Sequence, residues 1–168
     1  VRPFLGLVGY QPRHLASVDE LTGADRARLR GLVGTAFPTV WAVWDTDDDA
    51  RFADAPVVLD RGAGPGGRLE LAAFKTELCV SCDSIDLAAP IDWYGTGLDL
   101  RWRSGVLPEA ERLRDRTITG VSLIAFDGDL VGFAFEAGTE RVELFNALDE
   151  LGIRATRGAA PGLGYLPA

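Results

Sequence analysis

The chain has 168 residues, single-domain length, and 47% of them are apolar, a globular composition. Its formal net charge of −8 argues against nonspecific binding to nucleic acid, whose phosphates would be repelled, and would suit a basic partner. No run approaches the roughly 18 apolar residues that a membrane span requires, and the N-terminal FLGLVGY is too short and too poorly flanked for a signal sequence, so a cytoplasmic location away from membranes is expected.

In chain order, residues 3–10 read as a first short strand. Thr22 then stands as an N-cap with Asp25 at the third helical position, and Leu29, Leu32 and Val33 fall on one helical face until Gly31 and Gly34 weaken and end it. Residues 40–44 form an apolar β-type run, closed by the acidic turn of Asp45, Asp47, Asp48 and Asp49. Pro56 introduces Val57, Val58 and Leu59, and residues 62–67 are a loop by composition. Residues 96–103 alternate, with Leu98, Leu100 and Trp102 on one face and Asp99, Arg101 and Arg103 on the other. PEAERLR, from Pro108, is a compact helical pattern with proline in its first turn. Three strands follow at 117–126, 130–136 and 141–146, separated by Asp127-Gly128 and Gly138, which tolerate the positive φ of hairpin turns. Residues 147–151 read as one helical turn closed by Gly152, and the Gly/Ala/Pro-rich remainder as a poorly ordered tail.

The segment after Val57 has two readings. Gly62-x-Gly64-x-x-Gly67 follows a strand ending in Leu59-Asp60, and Asp83 comes some way downstream. In a Rossmann-type fold such glycines let backbone approach the ligand, and the later carboxylate holds ribose hydroxyls. VVLDRGAGPGG also resembles the first motif of S-adenosylmethionine-dependent methyltransferases, which would make Gly62, Gly64 and Asp83 a cofactor site. Parallel strands, however, need crossover helices between them, and the downstream half offers hairpins. The favoured reading is therefore a surface hairpin loop with no cofactor.

The remaining motifs carry little chemistry. Cys79-x-x-Cys82 lies in a β-type run, where residues three apart point to opposite faces, rather than at a helix start that would activate a thiol. Zinc would need four ligands, and His14 is the only histidine. The Asp45, Asp47, Asp49 spacing opens like a calcium loop, but Ala50 replaces the glycine and Pro56 the final glutamate. His14 has no nucleophile beside it in sequence, and Arg101 and Arg103 form either an anion clamp or cross-strand ion pairs. No catalytic or metal site is expected.

A resemblance rests on other pieces: PVVLD at Pro56, RLEL at Arg68, VSCDSIDLAAPIDWYG and LFNALDELGI. Together they are similar to a family of small bacterial proteins with PVVL, LE, IDL and NALDE-GI patterns, covering residues 38–153; Asp83 stands where that family has asparagine. In size and architecture the family resembles immunity and accessory proteins of bacterial toxin systems. The resemblance implies a non-enzymatic partner-binding role and carries over no catalytic residue.

The expectation is an α+β domain over residues 1–153, with a tail over 154–168 and a mainly antiparallel, curved sheet of about six to eight strands with one or two short helices. The expected function is protein binding, in its specific form neutralisation of a basic toxin. Asp45, Asp47, Asp48 and Asp49 would steer the cation, Trp93 and Tyr94 would supply contact, and Arg101 would lie nearby. The alternatives are the methyltransferase and an accessory or structural subunit.

Overall fold

A computed structural model describes residues 3–64, 67–158, 160 and 162–168. The elements run as a 3-10 turn Phe4–Gly6, β1 (Arg13–Leu15), a 3-10 turn Val18–Glu20, α1 (Gly23–Arg30), β2 (Thr39–Asp45), β3 (Ala50–Arg51), β4 (Val57–Asp60), β5 (Arg68–Phe74) and β6 (Glu77–Cys82). They continue as β7 (Leu100–Ser104), α2 (Pro108–Glu111), β8 (Gly120–Phe126), β9 (Asp129–Ala137), β10 (Glu140–Asn146), β11 (Leu151–Thr156) and β12 (Gly164–Pro167). The chain is thus predominantly β, with few short helices.

Among the described residues every strand pairing is antiparallel, as the hairpin signals imply. The strands divide between two open sheets, however, in place of the single sheet expected. One has seven strands in the order β1-β6-β5-β4-β2-β3, with β7 on the free side of β2; the other has five, β11-β10-β9-β8-β12. Alternation along the strands sorts the apolar residues into layers. Val40, Ala42, Val57, Leu59, Leu69, Leu71, Leu78 and Val80 of the larger sheet meet Val121, Leu123, Phe133, Phe135, Val142 and Leu144 of the smaller in one core.

The opposite face of the larger sheet is covered as well. Val58, Ala72 and Cys79 pack under Leu5, Leu7, Tyr10 and Ile85, with Trp41, Phe74, Ile91, Trp93 and Trp102 around them. The cover consists of residues 4–10 and the segment after β6. Residues 3–10 are therefore a lid carrying a 3-10 turn rather than a strand, since Leu5 and Gly6 adopt positive φ.

Glu70 fastens this cover. Its carboxylate sits fully buried on the outer face of β5 and accepts the Ser84 and Ile85 backbone N–H groups at 2.8 and 2.7 Å, together with the Ser81 and Ser84 hydroxyls. Buried polar oxygens are tolerated when their lone pairs are satisfied in this way.

Helix α1 begins as its sequence dictates. The Thr22 hydroxyl accepts the Asp25 N–H at 3.2 Å and the Asp25 carboxylate accepts the Thr22 N–H at 2.7 Å, a reciprocal capping box. Leu29 and Leu32 reach the core, but the helix stops at Arg30, so Val33 leaves the helical face and is exposed. Thr22→Ala is expected to cost about 1 kcal/mol in a urea titration. Burial would raise the Asp25 carboxyl, but the hydrogen bonds from Thr22 and Arg13 outweigh it and hold the group below its ordinary range. A depressed folded value contributes stability above the unfolded carboxylate range and loses it as pH falls through the folded value. The stability gap between wild type and Asp25→Asn is therefore expected at neutral pH and to close in acid.

The tail assignment requires correction. Residues 151–156 are β11, and residues 164–167 pair with β8 as β12. Tyr165 of β12 reaches across the outer face of the smaller sheet, where its hydroxyl donates to the buried Glu143 of β10 at 2.7 Å and accepts the Ala160 N–H at 3.0 Å. Gly132 and Ala134 keep the β9 surface beneath small. The 147–151 segment is also not helical: Ala147 N–H bonds to Glu150 O at 2.8 Å, closing the β10–β11 hairpin.

Candidate functional site

The acidic turn after β2 is largely self-satisfied. Asp45 is buried, and its carboxylate accepts the Asp47 and Asp48 N–H groups at 3.0 and 3.3 Å. Asp49 accepts Trp44 Nε1–H at 3.0 Å and lies 3.7 Å from Arg103, whose guanidinium stands 5.6 Å over the Trp44 ring. Asp45 and Asp49 thus build the turn, and the Asp47 and Asp48 side chains are left exposed.

Arg101 pairs at 3.1 Å with Asp99, which precedes β7, and stands opposite Trp44 in the β2–β7 register. Trp102, one residue on, belongs to the other face with Trp93. Arg101 therefore points away from the Trp93–Tyr94 side, and the expected grouping splits across β7.

Trp93 and Tyr94 sit in a tight turn, with the Gly95 N–H donating to Asp92 Oδ1 at 2.9 Å and the Thr96 N–H to Trp93 O at 3.0 Å. Trp93 is half-buried, edge-on to Phe52 at 4.8 Å and to Tyr94 at 5.6 Å. Tyr94 has φ 50° and is 50% exposed.

Beside them opens a cleft of about 200 Å³ lined by Leu5, Asp54, Phe74, Trp93, Tyr94 and Asp149. Asp149 enters from the β10–β11 turn, where its Oδ1 accepts the Lys75 N–H at 2.5 Å while Asn146 Nδ2 donates to Lys75 O at 2.9 Å. The Asp54 carboxyl is raised above its ordinary value by burial and then by the charges of Glu150 and Asp149. Aromatic side chains and mutually repelling carboxylates thus share one opening. Sequence reasoning missed Asp54, Phe74 and Asp149, because five separate segments come together to line the cleft.

The glycine loop joins β4 to β5 as a hairpin, with Gly62 and Gly64 at φ 96° and 138°; residues 65 and 66 lie outside the described residues. The loop is followed by a strand that returns antiparallel, where a bound pyrophosphate would require a helix N-terminus. Gly62 and Gly64 line an open groove of about 640 Å³ with Thr35, Phe37, Trp41 and Asp60. Asp83 is not part of that lining, and its Oδ1 accepts the Arg68 N–H at 2.9 Å.

No protein-family model, curated protein or solved structure matches the chain.

The β1–β6 register does give His14 partners that sequence spacing hid. Its Nδ1 lies 3.6 Å from Cys79 Sγ and 3.1 Å from Glu77 Oε2. Both contacts use the same ring nitrogen, whereas a general base needs one nitrogen for the nucleophile and the other for its orienting acid. Burial, and then the Glu77 charge, push the Cys79 thiol up to about 12, the opposite of activation. Cys79 faces the outer cover and Cys82 the core, as the strand geometry implies. Among the described residues no three His, Cys, Asp or Glu side chains converge as metal ligands, and no helix is long and apolar enough to cross a membrane.

Proposed function

We propose that this chain is a non-enzymatic protein-binding domain whose partner is a basic protein, with neutralisation of a basic toxin as its specific form. The observation that carries the reading is the opening where exposed Tyr94 and half-buried Trp93 stand beside Asp54 and Asp149. Tyrosine and tryptophan are the residues that most often dominate interface energies, and carboxylates around them select a cationic partner. Asp47 and Asp48, with the net charge of −8, add long-range attraction. The WYG and NALDE segments that carry the family resemblance, distant in sequence, both contribute to this opening.

The test is co-expression with a basic toxin encoded beside the gene. Suppression of its toxicity is expected, with binding that weakens as salt rises and falls at least about tenfold in Tyr94→Ala, the equivalent of 1.4 kcal/mol. Binding indifferent to salt, or unchanged in Tyr94→Ala, would sink the reading. The methyltransferase alternative has its own measurement, thermal unfolding with S-adenosylhomocysteine. No shift is expected. Ligand at 100 times its dissociation constant would add about 2.7 kcal/mol, and a rise of that size would replace the present reading.

A further inference from the structure

The β10–β11 turn has an unusual composition for its geometry. Leu148 and Asp149 are its two central residues, at φ 60° and 79°. Two-residue hairpin loops with both φ values positive favour Asn-Gly or Asp-Gly, because a side chain with Cβ is strained in that conformation. Leucine is disfavoured there, and its side chain is 89% exposed, so it contributes almost nothing to the core. The neighbouring Asp149 lines the Trp93–Tyr94 cleft, and exposed Leu148 lies one residue outside that lining.

The charges around this opening are unequal. Asp54, Asp149 and Glu150 lie close enough for the latter two to raise the Asp54 carboxyl. Among the described residues, two cations have partners on this side: Lys75, whose ammonium stands 5.5 Å over the Phe74 ring, and Arg51, whose guanidinium donates to Leu151 O. Lys75 thus occupies the Phe74 side, leaving Trp93 and Tyr94 as the aromatic surface beside Asp54. A flat cation that both stacks on a ring and donates in parallel to a carboxylate fits this arrangement better than a compact ammonium.

Resting on the protein-binding reading above, we propose that this cleft receives an arginine side chain of the basic partner, between Tyr94, Trp93 and Asp54, with Leu148 as the apolar contact beside it. The strained leucine turn then serves the interface, not the fold.

Two measurements test this. In the first, acetylated tetra-arginine amide is titrated into the isotopically labelled full chain at low salt, with tetra-lysine as comparison. Shifts are expected at the Trp93 indole and at the Tyr94 and Leu148 amides, with arginine binding at least about threefold tighter and both shifts and preference lost in Asp54→Asn. Shifts confined to Asp47 and Asp48, or equal binding of the two peptides, would overturn the arginine cleft while leaving a basic partner in place. No shift at all would also overturn the cleft, and toxin suppression reports separately on the broader reading.

In the second, Leu148→Asn supplies the residue the turn geometry favours. Its melting temperature is expected to rise by about 2–4 °C while affinity for the tetra-arginine peptide falls at least about threefold. A more stable variant with unchanged affinity would remove Leu148 from the interface, and a less stable one would refute the strain.

Discussion

Glu70→Ala is expected to destabilise the protein by about 3 kcal/mol or more, a fall of roughly 6–12 °C in melting temperature. The carboxylate is fully buried and accepts from two backbone N–H groups and two serine hydroxyls. Alanine would leave the buried Ile85 amide without its acceptor, the partly buried Ser84 amide with only solvent, and the Ser81 hydroxyl with only the Ser84 hydroxyl beside it. Glu70→Gln retains an acceptor oxygen for the amides and is expected to lose only about 1–2 kcal/mol, because the serine hydroxyls can turn to accept from its NH2. Amide exchange at Ser84 and Ile85 locates the damage: protection there falls in Glu70→Ala before the sheets open. Near-wild-type stability in Glu70→Ala would mean that the cover after β6 is held by its apolar side chains alone. Since that cover carries Trp93 and Tyr94, partner binding is expected to weaken in step with the lost protection.

The second large effect is expected at Gly6, on the other half of the cover. It adopts φ 68°, and a Cβ there would lie 1.8 Å from Asp92 O and 2.4 Å from Asp92 C. Both are backbone atoms, and Asp92 N–H also donates to Gly6 O at 3.3 Å. No rotamer relieves this overlap; the 91–94 segment must move. Gly6→Ala combines a left-handed backbone penalty with overpacking and is expected to cost about 2–4 kcal/mol in a urea titration. Gly128→Ala separates the two causes, since its φ is 88° but a Cβ meets nothing within 4 Å. That variant is expected to lose only about 1 kcal/mol. Equal losses would show that the Gly6–Asp92 contact is soft. The expected local signature of Gly6→Ala is a changed environment at the Trp93 indole.

The legible parts of this fold are those that depend on local chemistry. Asp127-Gly128 adopts positive φ at both positions and turns β8 into β9, and Thr22 with Asp25 starts α1. The pairing of β4 with β5 across the glycine loop also follows from local signals, because nothing downstream supplied a crossover helix. What failed depended on the third dimension. RLELAAF of β5 is buried on both faces because a cover lies over the second one, so the alternation that would identify a half-exposed strand is missing. Membership of two sheets rather than one has no local signature, since inner-face residues look alike in both. GYLP of β12 is short and glycine-flanked, and only its distant partner β8 makes it a strand. Leu148-Asp149 escaped because hairpin turns are recognised by Asn and Gly.

The candidate site follows the same division. Trp93 and Tyr94 could be singled out because a turn flanked by Asp92 and Gly95 presents them. Arg101 was assigned to their neighbourhood because it is near in sequence, yet strand alternation sends it to the other face. Asp54 and Asp149 join them only through tertiary packing.

The order of strands in the smaller sheet has a consequence for biosynthesis. β8, β9, β10 and β11 emerge from the ribosome as successive hairpin neighbours, but β8 must wait for residues 164–167 before its second edge is paired. Until then a strand reading GVSLIAF presents an open row of amides and carbonyls, the template on which nascent chains pair with one another. Truncation before residue 164 is therefore expected to show first as poor yield and aggregation during expression, ahead of any loss of binding.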